Sequence, residues 1–294
     1  MTTAQATTRG QSSILAKIVT RFAPSPTGQL HLGHALSAVI AHDRARQHPE
    51  GRFIVRIEDI DTGRCRAEFV DAIFADLAWL GLTWDDVVIQ SSRTDAYAEA
   101  LASLHRMGLA YRCSCTRAEI AASATAPQGD ALPVYPGTCR NRDIGETTPA
   151  AWRLDIAKAI AVAGPLTWTD AGAGTVTTEP LPEGDIVIAR KDALASYHLA
   201  VTVDDAAQAI TDVVRGRDLF AATHVHRLLQ ALLGLPTPRY HHHPLVLGDN
   251  GKRLAKRDGA ATLAQLRAEG MDGAALAEML RAGQLPIGFR LDAS

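Results

Sequence analysis

Residues 21–34 read Arg21-Phe22-Ala23-Pro24-Ser25-Pro26-Thr27-Gly28-Gln29-Leu30-His31-Leu32-Gly33-His34. A β-type run over residues 14–22 leads into this stretch, a Pro/Gly turn follows, and a helix opens at the two histidines. The first turn of a helix presents unpaired N–H groups and a partial positive charge, which suits phosphate. His31 and His34 are three residues apart and share one face. Two imidazoles placed there can donate to a phosphate as negative charge builds on it. Gly33 lets a flat ring such as adenine come close to the backbone. A bare His-x-x-His reads as an ordinary pair of cap or surface histidines; the complete Pro-Ser-Pro-Thr-Gly lead-in sets this one apart.

Outward from this stretch the pattern alternates. Residues 32–47 read as a helix, 52–57 as a strand, and 67–80 as an amphipathic helix with Phe69, Ile73, Phe74 and Leu77 at helical spacing. Residues 87–90 read as a short strand and 97–107 as a helix ended by Gly108. Strand–helix alternation implies an α/β fold, a Rossmann-like parallel sheet with helices on both faces. The rhythm breaks at residues 121–133, which are rich in Ala, Gly and Pro, and residues 152–188 look β-rich, so 111–190 reads as an insertion into the sheet domain. Strand and helix return over 195–214 and 223–233, and residues 262–282 read as helix. The expected layout is a first half over 14–110, an inserted subdomain over 111–190, a second half over 191–250, and a basic loop with C-terminal helices over 251–294.

The 294 residues carry 30 basic and 32 acidic side chains, a formal net charge of −2. That balance argues against a sequence-blind nucleic-acid binder, though basic groups cluster locally at 140–142 and 252–257. Four cysteines in a chain of this length are not a disulfide framework. No apolar run is long enough to span a bilayer, and residues 1–13 lack the hydrophobic segment of a secretory signal. A cytoplasmic protein is expected, with no membrane partner, and a monomer, since nothing suggests an assembly.

The second constellation is Gly251-Lys252-Arg253-Leu254-Ala255-Lys256-Arg257-Asp258-Gly259. Four cations in six residues between glycines can close over a triphosphate and stabilise departing pyrophosphate. Taken together, the two stretches resemble the HIGH signature and the KMSKS loop of class I aminoacyl-tRNA synthetases, in the form used by glutamyl enzymes. Arg253 stands where the first lysine of the loop is usual, Ala255 where serine is usual, and Lys256 at the second lysine. The resemblance implies that His31, His34 and Lys256 are catalytic and that His31, Gly33, His34, Arg253 and Lys256 bind ATP, which brings Mg²⁺.

The glutamyl resemblance also implies a substrate pocket. Val55-Arg56-Ile57-Glu58-Asp59-Ile60-Asp61 puts Arg56 and Glu58 on one side of a strand end, where a carboxylate could meet an α-ammonium group. Arg21, Tyr197 and Arg215 could form a cationic cup for a side-chain carboxylate, because guanidinium binds carboxylate with a fork. In the family this set, Arg21, Ser25, Glu58, Tyr197 and Arg215, makes the glutamate contacts. Cys113, Cys115 and Cys139 can converge on a zinc ion, and with no fourth Cys or His close by, Tyr135 is the candidate fourth ligand through its phenolate. The family has a similar Cys-x-Cys…Tyr-x-x-x-Cys zinc pattern, which implies one structural Zn²⁺ per chain. His241, His242 and His243 do not read as a metal site, because adjacent strand residues face opposite ways.

Too few residues follow Thr262 to build a further domain, so no anticodon-binding domain is expected. That resembles the truncated glutamyl-queuosine tRNA-Asp synthetases. They activate L-glutamate with ATP without needing tRNA, then transfer it to the queuosine base in the anticodon of tRNA(Asp). Three other readings compete: a glutamyl-tRNA synthetase core charging a tRNA 3′ end, a small-molecule nucleotidyltransferase of the same superfamily, and a non-catalytic tRNA-binding paralogue.

Overall fold

The computed structural model describes residues 17–116, 118–120, 134–193, 195–249, 251, 254 and 261–292. The strand before the Pro-Ser-Pro-Thr-Gly turn is β1 (Val19–Phe22), buried throughout, and α1 (Leu32–Arg46) follows it. Next come β2 (Arg52–Ile57), α2 (Ala67–Trp79), β3 (Asp86–Ile89) and α3 (Thr94–Arg106). β2 pairs in parallel with β1 on one side and β3 on the other. Near-continuous apolar strands are what a sheet covered on both faces requires.

Later in the chain, α5 (Tyr197–Ala207) leads to β9 (Asp212–Gly216), then α6 (Phe220–Leu232) and β10 (Arg239–His243). β9 and β10 run parallel over five residue pairs. β9 lies beside β1: the Val19 N–H donates to Thr211 Oγ1 and the Thr211 N–H to Val19 O, both at 2.9 Å. The order across the molecule is therefore β3-β2-β1-β9-β10, and the direction of winding reverses between β1 and β9. In open parallel sheets the crevice beyond the strand ends at such a reversal is where ligands bind.

Between the halves run β4 (Ala110–Cys113), β5 (Ala151–Leu154), α4 (Ile156–Ala163), β6 (Thr167–Asp170), β7 (Gly174–Thr177) and β8 (Val187–Ala189). β4, β5 and β8 form a small antiparallel sheet. β6 instead joins β10 in parallel at Tyr240–Asp170, with β7 as its hairpin partner. The span 111–190 thus contributes to two sheets. It also contains a helix in a region whose sequence looks β-rich: the Asp155 side chain accepts the Lys158 N–H and caps the Ala-rich α4.

Residues 262–282 form two helices, α7 (Leu263–Ala268) and α8 (Gly273–Arg281), because Gly270 takes a φ of +89° between them. β12 (Phe289–Leu291) then pairs antiparallel with β11 (Val246–Gly248). Leu263, Leu266, Leu276 and Leu280 share one core with α1, α2 and β2. A side chain on Gly273 would collide with the Trp79 carbonyl, so glycine permits this close approach of α8 to the end of α2. A second core packs α3, α4, α5 and α6 against the small β4–β5–β8 sheet, and a third, with Val19, Ile54, Val213, Tyr240 and Trp168, covers the other face of the main sheet. Among the described residues, no helix is long and apolar enough to cross a membrane.

Candidate active site

The crevice between β1 and β9 holds a cavity of about 420 Å³. Its walls bring together Arg21, Ser25, His31, Gly33, His34, Glu58, Tyr197 and Arg215, the whole described part of the set expected from sequence. Arg253 and Lys256 lie outside the described residues, but Leu254 between them lines the wall. Its N–H reaches Val246 O at 3.3 Å, which fixes this one described residue of the stretch at the cavity wall.

His31 is the N-cap of α1. Its Nδ1 accepts the Gly33 N–H at 3.1 Å, and His34 Nδ1 accepts the His31 N–H at 3.1 Å, a capping box built from two imidazoles. The rings stack at 3.8 Å. With both Nδ1 atoms accepting, each neutral ring carries its proton on Nε2, the donor orientation a phosphate needs. A Cβ on Gly33 would sit 3.0 Å from His31 Cε1, so this glycine lets the His31 ring fold back onto its own helix.

Below the histidines lies a buried charge network. Arg56, wholly buried on β2, places Nη1 2.9 Å from Asp205 Oδ1 and Nε 3.5 Å from Glu58 Oε1. Arg21 Nε donates to the same Asp205 oxygen at 3.0 Å. Burial pushes the Asp205 carboxyl up, but Arg21 and Arg56 more than offset this and hold it below the usual range. Glu58 is pushed up to about 7 by burial, despite the opposing pull of Arg56 and Arg21. Its Oε1 is buried and faces Arg56 Nε at 3.5 Å, with no donor at hydrogen-bond geometry among the described residues, and the side chain lines the cavity wall.

The arginines of the cup differ. Arg21 Nη1 donates to Val214 O at 3.3 Å, and among the described residues Nη2 has no acceptor. Arg215, buried, spends all five N–H groups on neutral acceptors: His242 Nε2, Tyr197 Oη, His226 Nδ1, Leu219 O and Thr223 Oγ1. No described carboxylate lies within ion-pair distance of it. Burial and Arg215 keep His226 and His242 neutral, His242 pulled down to about 4. The site therefore offers a desolvated positive charge, open N–H on Arg21, and the Tyr197 hydroxyl.

The sequence reading passed over several residues here. Ser37 and His243 line the cavity, with Ser37 Oγ 2.7 Å from His243 Nε2. His242 faces the other way, to Arg215, in keeping with strand alternation. The three-histidine run was the available signal; what it lacked was the identity of β10's neighbours.

In the inserted region Cys113, Cys115 and Cys139 have sulfurs within 4.8 Å of one another, a group able to hold a metal ion. Tyr135 Oη lies 3.4 Å from Cys113 Sγ and 3.8 Å from Cys115 Sγ, and Cys115 Sγ lies 3.5 Å from Cys139 Sγ. The edge of a tetrahedron around zinc with thiolate bonds is about 3.8 Å, so the four groups fit such an ion.

Comparison with known proteins agrees with this geometry. The model of the catalytic domain of class I tRNA synthetases (E and Q) matches residues 17–287. The Glutamyl-Q tRNA(Asp) synthetase of Rhodobacter capsulatus is 47% identical over 277 residues, covering 90% of this chain and 99% of its own. The protein of the same name from Deinococcus radiodurans is 45% identical, over 85% of this chain and 83% of its own. The glutamate–tRNA ligase of Nitratidesulfovibrio vulgaris is 40% identical, over 90% of this chain and 57% of its own. The crystal structure of a glutamate tRNA ligase from Elizabethkingia meningosepticum, in complex with its amino acid, superposes with a TM-score of 0.71 at 28% identity, covering 90% of this chain and 60% of that one. A methionyl-tRNA synthetase from Mycobacterium tuberculosis, at 13% identity and a TM-score of 0.59, shares the fold. The chain is an enzyme of the class I tRNA synthetase family, of the glutamate and glutamine type, and belongs with the relatives named glutamyl-Q tRNA(Asp) synthetases.

Proposed function

We propose that the protein activates L-glutamate with MgATP to glutamyl-adenylate without needing tRNA, then transfers the glutamyl group to the queuosine base in the anticodon of tRNA(Asp). The observation that carries this reading is the cavity that sets the Arg21–Tyr197–Arg215 cup and the buried Glu58 carboxylate beside the stacked histidines. The glutamate side-chain carboxylate takes N–H from Arg21 and O–H from Tyr197, with the Arg215 charge behind that hydroxyl. The α-ammonium meets Glu58. This leaves the α-carboxylate facing the start of α1, where an oxygen attacks the α-phosphorus of ATP and the bond to pyrophosphate breaks. His31 and His34 donate from Nε2 to the phosphate as charge develops, a contribution of about 10²–10³ in rate for one such donor. Lys256 neutralises departing pyrophosphate. A hydroxyl of queuosine then attacks the glutamyl carbonyl and AMP leaves.

Cys113, Cys115, Cys139 and Tyr135 would hold zinc. Bound there, the ion would cross-link the end of β4 to residues 135–139.

The test is glutamate-dependent ATP–pyrophosphate exchange with and without tRNA. Exchange without tRNA, followed by labelling of queuosine-bearing tRNA(Asp), is the expected result. Exchange only with tRNA would point instead to charging of a tRNA 3′ end, and its complete absence in folded protein to a non-catalytic paralogue.

A further inference from the structure

We propose that Asp170 and His242 are positioning residues that hold the Arg215 guanidinium in place for the substrate carboxylate. They thereby set the preference for a carboxylate over an amide side chain. This rests on the glutamate reading of the cavity.

The argument begins with β6. Its last residue, Asp170, lies opposite Tyr240 in the ladder, and its Oδ2 lies 2.8 Å from His242 Nδ1 and accepts the His242 backbone N–H at 3.3 Å. Oδ1 is used differently: it accepts the N–H groups of Gly172 and Ala173 and so shapes the β6–β7 turn. A carboxylate can only accept, so the proton between Asp170 and His242 belongs to Nδ1 of the ring. That leaves His242 Nε2 as an acceptor, and the Arg215 Nε–H points at it from 3.1 Å. His242 and Arg215 are also direct partners in the β9–β10 ladder, so the backbone fixes their spacing.

Without this arrangement the guanidinium has a poor environment. A neutral imidazole can face Arg215 with a lone pair or with an N–H. The second would set two donors against each other in a buried place, where neither finds water. Asp170 selects the first. Asp170 is the acidic residue that approaches Arg215 from this side, and it does so through one intervening ring. The positive charge is thereby oriented but not neutralised, which leaves it for a ligand. An amide side chain would supply no charge to match it.

Asp170→Asn separates the two functions of Asp170. The amide oxygen can keep the turn bonds to Gly172 and Ala173, while its NH₂ takes the place of Oδ2, gives up the long bond from the His242 backbone N–H and donates to His242 Nδ1. The ring proton then moves to Nε2, against Arg215. The expected result is a KM for glutamate raised on the order of 10- to 100-fold, with the KM for ATP within about twofold and a reduced preference for glutamate over glutamine in exchange. The ¹⁵N spectrum of His242 should show the proton on Nδ1 in the unmodified protein and on Nε2 in the variant. His242→Gln, which can accept from Arg215 and donate to Asp170, should keep glutamate affinity far better than His242→Leu. An unchanged glutamate KM in Asp170→Asn with the proton shifted would overturn the proposal, as would a proton on Nε2 in the unmodified protein. Failure of the unmodified protein to exchange with glutamate would overturn the glutamate reading itself, a result distinct from the proton position, which is read without substrate.

Discussion

Glu58 shows how one residue couples stability to ligand binding. Its carboxyl rises from an ordinary 4.5 to about 7 because burial outweighs Arg56 and Arg21. A group that holds its proton more tightly folded than unfolded costs nothing below about pH 4, and its full cost, roughly 3 kcal/mol, applies above about pH 7. Glu58→Gln should therefore be more stable to urea than the parent at pH 8, with the gap closing as pH falls toward 5. A gap that stays constant with pH would mean the carboxyl titrates normally. The same group must be ionised to meet an ammonium, so the glutamate KM of the parent should rise as pH drops below about 7. The cost in stability thus belongs to the site rather than to the core around it.

Among the elements, the start of α1 does two things with the same atoms. His31 and His34 cap the helix through Nδ1, and that capping turns Nε2 toward donation. Serine is among the best N-caps, so His31→Ser keeps the cap and removes the imidazole. The thermal midpoint is expected to stay close to that of the parent while pyrophosphate exchange falls about 10²–10³-fold. If the variant retained full exchange, His31 would be a cap only. β6 is similarly double: the strand that joins its hairpin with β7 to β10, and the carrier of Asp170.

Across the whole molecule, the two halves are tied by charge as well as by packing. Asp205 on α5 binds Arg21 of β1 and Arg56 of β2, so the later half of the chain reaches across to two of the three parallel strands of the first. The cysteine group stands apart from this junction, at the end of the small β4–β5–β8 sheet and away from the cavity walls. Cys113→Ser is expected to lose zinc by elemental analysis and to become sensitive to proteolysis within 111–190. Glutamate-dependent exchange should stay within a few-fold of the parent. Unchanged metal content would remove the proposed site, and loss of exchange would show that the two regions are coupled.

What the sequence alone determined is local. The strand–turn–helix around His31 and His34, the exact span of β2, and the proximity of Cys113 to Cys115 follow from periodicity, turn chemistry and short spacing. The glutamate cup was legible only by resemblance, because Arg21, Tyr197 and Arg215 carry no shared local pattern. Pairings between distant segments needed the tertiary structure. Val19 and Thr211 are 192 residues apart, and β6 leaves a region that reads as an insertion to join the main sheet. Strand neighbours are chosen by which buried faces fit together, not by the residues beside them in sequence. The support of Arg215 by His242 and Asp170 therefore appears only once β9, β10 and β6 lie side by side.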